Sequence, residues 1–158
     1  MATRANFLQG LPMQLFMSLL WIMVAWGPIN ADFNNTHLFN PDWPPHARLH
    51  MMTVFTTAVA VAVFGLYLVW GQTCSRLERL RLSAVLGCIY VLGLIVASLT
   101  MPSYGGSLYW EDSQPRAASL NDANLVVFLV TGVVFLLLAV PLFVSRDSNP
   151  SPQGQVGN

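Results

Sequence analysis

Charge is scarce in this sequence. Aspartate, glutamate, lysine and arginine make up 9% of its 158 residues, while 54% are hydrophobic. A soluble domain carries about 25% charged residues, so this composition cannot cover a water-facing surface. Seven basic and seven acidic residues cancel to a net charge of zero. That balance removes the electrostatic case for nucleic acid as a partner, or for a polybasic lipid-binding surface. Cysteine is nearly missing as well, with Cys74 and Cys88 the only two. Cys74 falls in a short Arg-rich loop and Cys88 about two turns into an apolar stretch, at different depths. With neither a disulfide framework nor a CxxC motif available, both are expected as free thiols. No internal repeat is present.

What is abundant is uninterrupted apolar sequence. About 20 helical residues span the roughly 30 Å of bilayer hydrocarbon, and four stretches reach that length: residues 11–29, 51–70, 82–101 and 125–144. The first ends at Gly27-Pro28, the second stops at Gly71, the third is closed by Pro102, and Pro141 lies near the end of the fourth. Each is apolar around most of its circumference, as a lipid-facing helix must be. The expected fold is all-α, an integral membrane four-helix bundle formed as one domain over residues 1–145. The Ser/Pro/Gly/Asn-rich residues 146–158 have little to bury and are expected as a disordered cytoplasmic tail. A rival reading takes the first stretch as a signal peptide cleaved after Ala31, although its apolar part exceeds the usual length.

Orientation follows from the arginines, which collect on the cytoplasmic side of membrane proteins. With four crossings, Arg4, Arg76, Arg79, Arg81 and Arg146 share one side, and only Arg48 and Arg116 lie on the other. Both termini are therefore expected in the cytoplasm, and the cluster Arg76 to Arg81 reads as a topology determinant. Residues 30–50 and 102–124 then face outward, together with Asp32, Asp42, Glu111, Asp112 and Asp122.

No Asp, Glu, Lys, Arg or His falls inside the four stretches. Proton relays, ion pathways and voltage sensors need such intramembrane groups, so pumps and channels of those kinds are disfavoured. Mid-span Gln14, Ser18, Thr56, Thr57, Ser98 and Thr131 are expected to bond between helices or back to their own backbone. Small residues four apart, Ala58 with Ala62 and Gly93 with Ala97, suggest close helix approach.

The informative segment is Asn35-Thr36-His37, followed by Asn40-Pro41-Asp42-Trp43-Pro44-Pro45-His46-Ala47-Arg48-Leu49-His50. A Pro-Pro pair fits a first helical turn, where a missing N–H costs nothing, so the second helix should start near Pro45, ahead of the membrane. His46 and His50 then stand one turn apart on one face, with Arg48 on another and Thr53 and Thr57 continuing below the imidazoles. All three histidines lie within residues 37–50. His46 and His50, with His37, are candidate ligands for a divalent metal. They are equally candidate acid/base groups, with Asp42 completing the site and Asp32, Asp42, Glu111 or Asp112 able to orient an imidazole. Trp43, Arg48 and Glu111 are candidates for holding the polar end of a ligand. The bland alternative is an interfacial belt in which the histidines and Trp43 satisfy loop carbonyls. Tyr109-Trp110 reads as a headgroup anchor, and Ser119 to Asp122 as a capping box for the fourth helix.

This pattern resembles the signature of an uncharacterised family of small four-pass membrane proteins, in which N-x-T-H leads into W-P-P-H-A-x-x-H. Asn35, Thr36, His37, Trp43, Pro44, Pro45, His46, Ala47 and His50 carry the resemblance, which implies a topology and a functional site rather than a reaction. A more distant analogy in fold and ligand type is to emopamil-binding and sigma-receptor-like proteins, whose bundles hold acidic residues that these spans lack. Three functions follow as expectations. One is a membrane-embedded enzyme performing isomerisation, cyclisation or hydrolysis on a lipophilic small molecule. The others are a non-enzymatic binding or accessory subunit, and a metal-handling protein. The expected surroundings are membrane lipids, with a homo-oligomer compatible with any of the three.

Overall fold

The computed structural model describes residues 10–106 and 123–144. Among these residues four helices run in order: α1 (Leu11–Asp32), α2 (Pro45–Trp70), α3 (Arg76–Tyr104) and α4 (Ala123–Val144). There is no strand among the described residues, so the all-α expectation holds. Three helices, α1 to α3, are long and apolar enough to cross a membrane, and α4 carries a further apolar stretch over Leu129–Val144. Large side chains such as Trp26, Phe64, Leu99 and Leu137 stand exposed on the exterior, which water would penalise and lipid would not.

The helix boundaries correct two expected stops. Pro28 and Pro102 lie inside α1 and α3, each within the last turn or so, where the lost N–H removes a single ladder bond. The stop of α3 comes instead at Gly105, whose φ of 68° is left-handed, with the Gly106 N–H bonding Met101 O at 2.9 Å. At its other end α3 starts at Arg76, because Ser75 and Glu78 form a reciprocal capping box. Its 29 residues reach about 43 Å, so Arg76, Glu78, Arg79 and Arg81 sit on a helical extension rather than in a loop.

α1 packs chiefly on α2 and α4 on α3, with α2 and α3 joining the two pairs. Trp21 of α1 and Phe135 of α4 are both fully buried at the centre, their ring centroids 5.2 Å apart. A Cβ on Gly65 would fall on the Trp21 indole and one on Gly87 on the Phe135 ring, so these glycines give the rings their room. The Trp21 Nε1–H donates to Ser83 Oγ at 2.8 Å, and Ser83 donates to Gly65 O at 3.3 Å. Apolar helices gain little from burial when lipid is the alternative, so packing and such buried bonds carry the association. Ala58 and Ala62 line the packed face of α2. Gly93 and Ala97 do not serve as expected: both are exposed, with nothing within 4 Å of a Gly93 Cβ.

The end of the bundle far from the histidines is held by side chains reaching helix C-terminal carbonyls. Buried Arg79 donates to Leu68 O and Val69 O, both at 3.1 Å, and to Cys74 O at 3.3 Å. Gln14 donates to Val69 O at 2.8 Å, and Arg81 to Leu142 O at 3.0 Å. Leu68 O, Val69 O and Leu142 O are last-turn carbonyls that a helix leaves without partners, and Cys74 O lies in the α2–α3 turn. The arginine cluster is therefore a structural clasp, beyond the topological role its charge suggests. Both cysteines are free, Cys74 exposed.

Candidate functional site

The loop between α1 and α2 folds on short polar side chains. Asn34 Oδ1 accepts from the Thr36 N–H at 2.8 Å, the Thr36 hydroxyl at 2.6 Å and the His37 N–H at 3.2 Å, while its amide donates to Ala31 O at 2.6 Å. An asparagine bonding its own backbone two residues on makes an Asx turn. Asn40 is buried; it donates to Thr36 O at 3.3 Å and accepts the Asp42 N–H at 2.9 Å. Leu38 is buried beneath the loop, and Phe33 meets Phe39 edge-on at 5.0 Å and tilts against buried Phe55 at 5.9 Å.

α2 begins at Pro45 as expected, with Pro44 extended at the cap. Arg48 turns back from it, donating to Trp43 O through Nε at 3.2 Å and Nη2 at 3.0 Å, and to Pro41 O at 3.4 Å. Its guanidinium thus ties the loop to the helix. Trp43 is half-buried, with its ring edge-on to His37 at 5.6 Å.

The three histidines divide into two groups. His37 Nδ1 lies 2.8 Å from Thr36 Oγ1, and its Nε2 lies 3.5 Å from Asp32 Oδ1 at the end of α1. His46 and His50 are exposed and face one another, Nε2 to Nε2 at 3.0 Å, with ring centroids 4.4 Å apart. Among the described residues no three His, Cys, Asp or Glu side chains gather as a metal site, so the expected triad of His37, His46 and His50 is not assembled. The reason is local: the Asn34 turn aims His37 back at α1, whereas i, i+4 spacing stacks His46 on His50. Asp42 is exposed and joins the loop through its backbone N–H; among the described residues Asp32 is the carboxylate beside a histidine. Glu111, Asp112, Tyr109-Trp110, the Ser119–Asp122 capping box, Arg4, Arg116 and the tail lie outside the described residues.

Sequence reasoning passed over Asn34 and Asn40, the side chains that shape the loop. The doubled Asn34-Asn35 and the Asn40-Pro41 pair are turn signals that mark them. Thr53 and Thr57 are exposed below the imidazoles, and Thr53 donates to Leu49 O at 3.0 Å; of the mid-span residues expected to bond back to their own backbone, Thr56 donates to Met52 O at 3.0 Å. An apolar groove between α1 and α2 is lined by Trp21, Trp26, Val59, Val63 and Leu66. On α2 those positions lie roughly half a turn round from His50, so a molecule in the groove is on the wrong side for the pair.

Fold and site together define an all-helical membrane protein with a structured, histidine-bearing loop at one end of its bundle. Residues 16–134 match the Family of unknown function (DUF6640), and the chain belongs to that family. The match runs from the first turns of α1 into α4 and includes all three histidines. No curated protein and no solved structure matches the chain, so the analogy to emopamil-binding and sigma-receptor-like proteins gains no relative.

Proposed function

We propose that this is a four-pass membrane protein with both termini cytoplasmic, working as a binding protein through His46 and His50 at its non-cytoplasmic rim. One observation carries the reading. The side chains of Asn34, Thr36 and Asn40 in the loop and of Arg48 on α2 are spent on the loop itself, whereas the two exposed imidazoles hold only each other among the described residues. Four crossings and the side on which the rim lies rest on the apolar lengths and on the distribution of arginine.

Native Cys74, exposed in the α2–α3 turn, is a built-in topology probe. A membrane-impermeant maleimide should miss Cys74 in intact cells and reach it after permeabilisation, while Pro41→Cys in a Cys74→Ser background should be labelled already in intact cells. Labelling of Cys74 from outside would overturn the orientation. For function, His46→Ala/His50→Ala should reproduce the fitness profile of a deletion across a pooled condition screen, at wild-type abundance in the membrane. A doubly substituted protein that restores the wild-type profile removes the pair from the function.

A second reading has its own observation. The Asp32 carboxylate beside His37 Nε2 resembles an oriented general base, which suits an enzyme acting on a lipophilic molecule. In that reading His37→Asn alone abolishes function, and the His46/His50 double variant leaves it intact.

A further inference from the structure

Resting on the rim reading, we propose that His46 and His50 form a bidentate site for a late first-row divalent transition-metal ion, with Cu2+ and Ni2+ favoured over tetrahedral Zn2+. The two Nε2 atoms are 3.0 Å apart. With metal–nitrogen bonds of about 2.0–2.1 Å, donors at that separation subtend about 94° at the metal. Adjacent positions of a square-planar or octahedral ion require about 90°, whereas a tetrahedral ion would need the nitrogens roughly 3.3–3.4 Å apart. The separation of the two nitrogens already suits the first geometry, and the rings need only turn so that both lone pairs point at the ion.

Three features make this more than a chance i, i+4 spacing. Both rings sit on a regular helix whose first turn is fixed by Pro44 and Pro45, so the spacing of their Cβ atoms is set by backbone rather than by a mobile loop. Arg48, the nearest cation in sequence, is drawn onto the Trp43 and Pro41 carbonyls, which turns its charge toward the loop. Both imidazoles are exposed, so the remaining coordination positions open to water or to an incoming donor. Such a site exchanges its ion, as a delivery or loading site must, whereas a structural site is closed by four protein ligands.

Binding moves one proton. A hydrogen bond between the two Nε2 atoms needs one of them to carry hydrogen and the other to accept it. Coordination needs both Nε2 lone pairs, so the donor ring passes its proton through solvent to its own Nδ1. Each ring then carries its hydrogen on Nδ1 and offers its Nε2 lone pair to the ion.

The test uses the full chain in detergent, purified without a polyhistidine tag and titrated with Cu2+, Ni2+ and Zn2+ separately. Cu2+ should bind at one equivalent and give an electron paramagnetic resonance spectrum with two equatorial nitrogens. His46→Ala and His50→Ala should each weaken binding by an order of magnitude or more and reduce the coupled nitrogens, and His37→Ala should change neither. His46→Gln, which keeps a polar side chain of similar reach, controls for altered folding and should lose the nitrogen coupling too. Saturable Cu2+ binding that ignores both substitutions, or no saturable binding at all, overturns the metal inference. The rim reading is judged separately by the fitness screen, so a pair that is required in cells and takes no metal sinks only the inference made here.

Discussion

Arg79 separates two explanations of the arginine cluster. If its role is charge alone, lysine should replace it without loss, because orientation depends on positive charge. If it is the clasp seen here, lysine should fail. Arg79 is 6% exposed and donates to Leu68 O, Val69 O and Cys74 O, a planar fork reaching the end of α2 and the turn that follows. Hydrogen bonds from a charged group contribute about 1.5–3 kcal/mol each. An ammonium at the end of a flexible stem can restore one of these three bonds but not the fork. Val69 O keeps Gln14 as a partner, so Leu68 O and Cys74 O are the acceptors left exposed to loss. Arg79→Lys should therefore destabilise by roughly 2 kcal/mol, and Arg79→Leu by more. The assay is thermal unfolding in detergent followed by loss of the monodisperse peak, with Cys74 labelling in cells as the orientation control. The expected result is unchanged orientation with a transition lowered by several degrees. Arg79→Lys with wild-type stability would refute the clasp and return the residue to topology alone.

Gly65→Ala places a Cβ on the Trp21 ring, an overpacking that costs about 1–3 kcal/mol. Trp21→Phe in the same chain should recover part of that loss, and strictly additive losses would show that the two sites do not touch. In the loop, Asn34→Ala should speed amide exchange at Thr36 and His37, both of which bond its side-chain oxygen. Asn35→Ala should leave those amides as they are, and equal effects from the two substitutions would contradict the Asx turn.

The bundle was legible where one physical constraint dominates. Lipid demands long apolar helices whatever their sequence order, so α1 to α3 could be drawn from composition, and Pro44-Pro45 marked the start of α2. The stops failed where a weaker rule met helix continuity. Pro28 and Pro102 are breakers on average, but near a C-terminus each costs one bond, and the αL Gly105 four residues past Met101 is the better terminator. Arg79 was readable as a charge but not as a clasp, because its acceptors are the last carbonyls of another helix, and only packing brings α3 against the end of α2. The site shows the same division. Spacing alone put His46 on His50, since i, i+4 neighbours are fixed by helix geometry. The placing of His37 depended on a loop in which Asn34, rather than Asn35, turns the backbone. Its ring went to Asp32 and left a pair where sequence suggested a triad. That division bears on function: two nitrogens on one helix face can hold an exchangeable ion with several open positions, whereas three converging imidazoles with an oriented carboxylate and one open position would have argued for a resident catalytic metal.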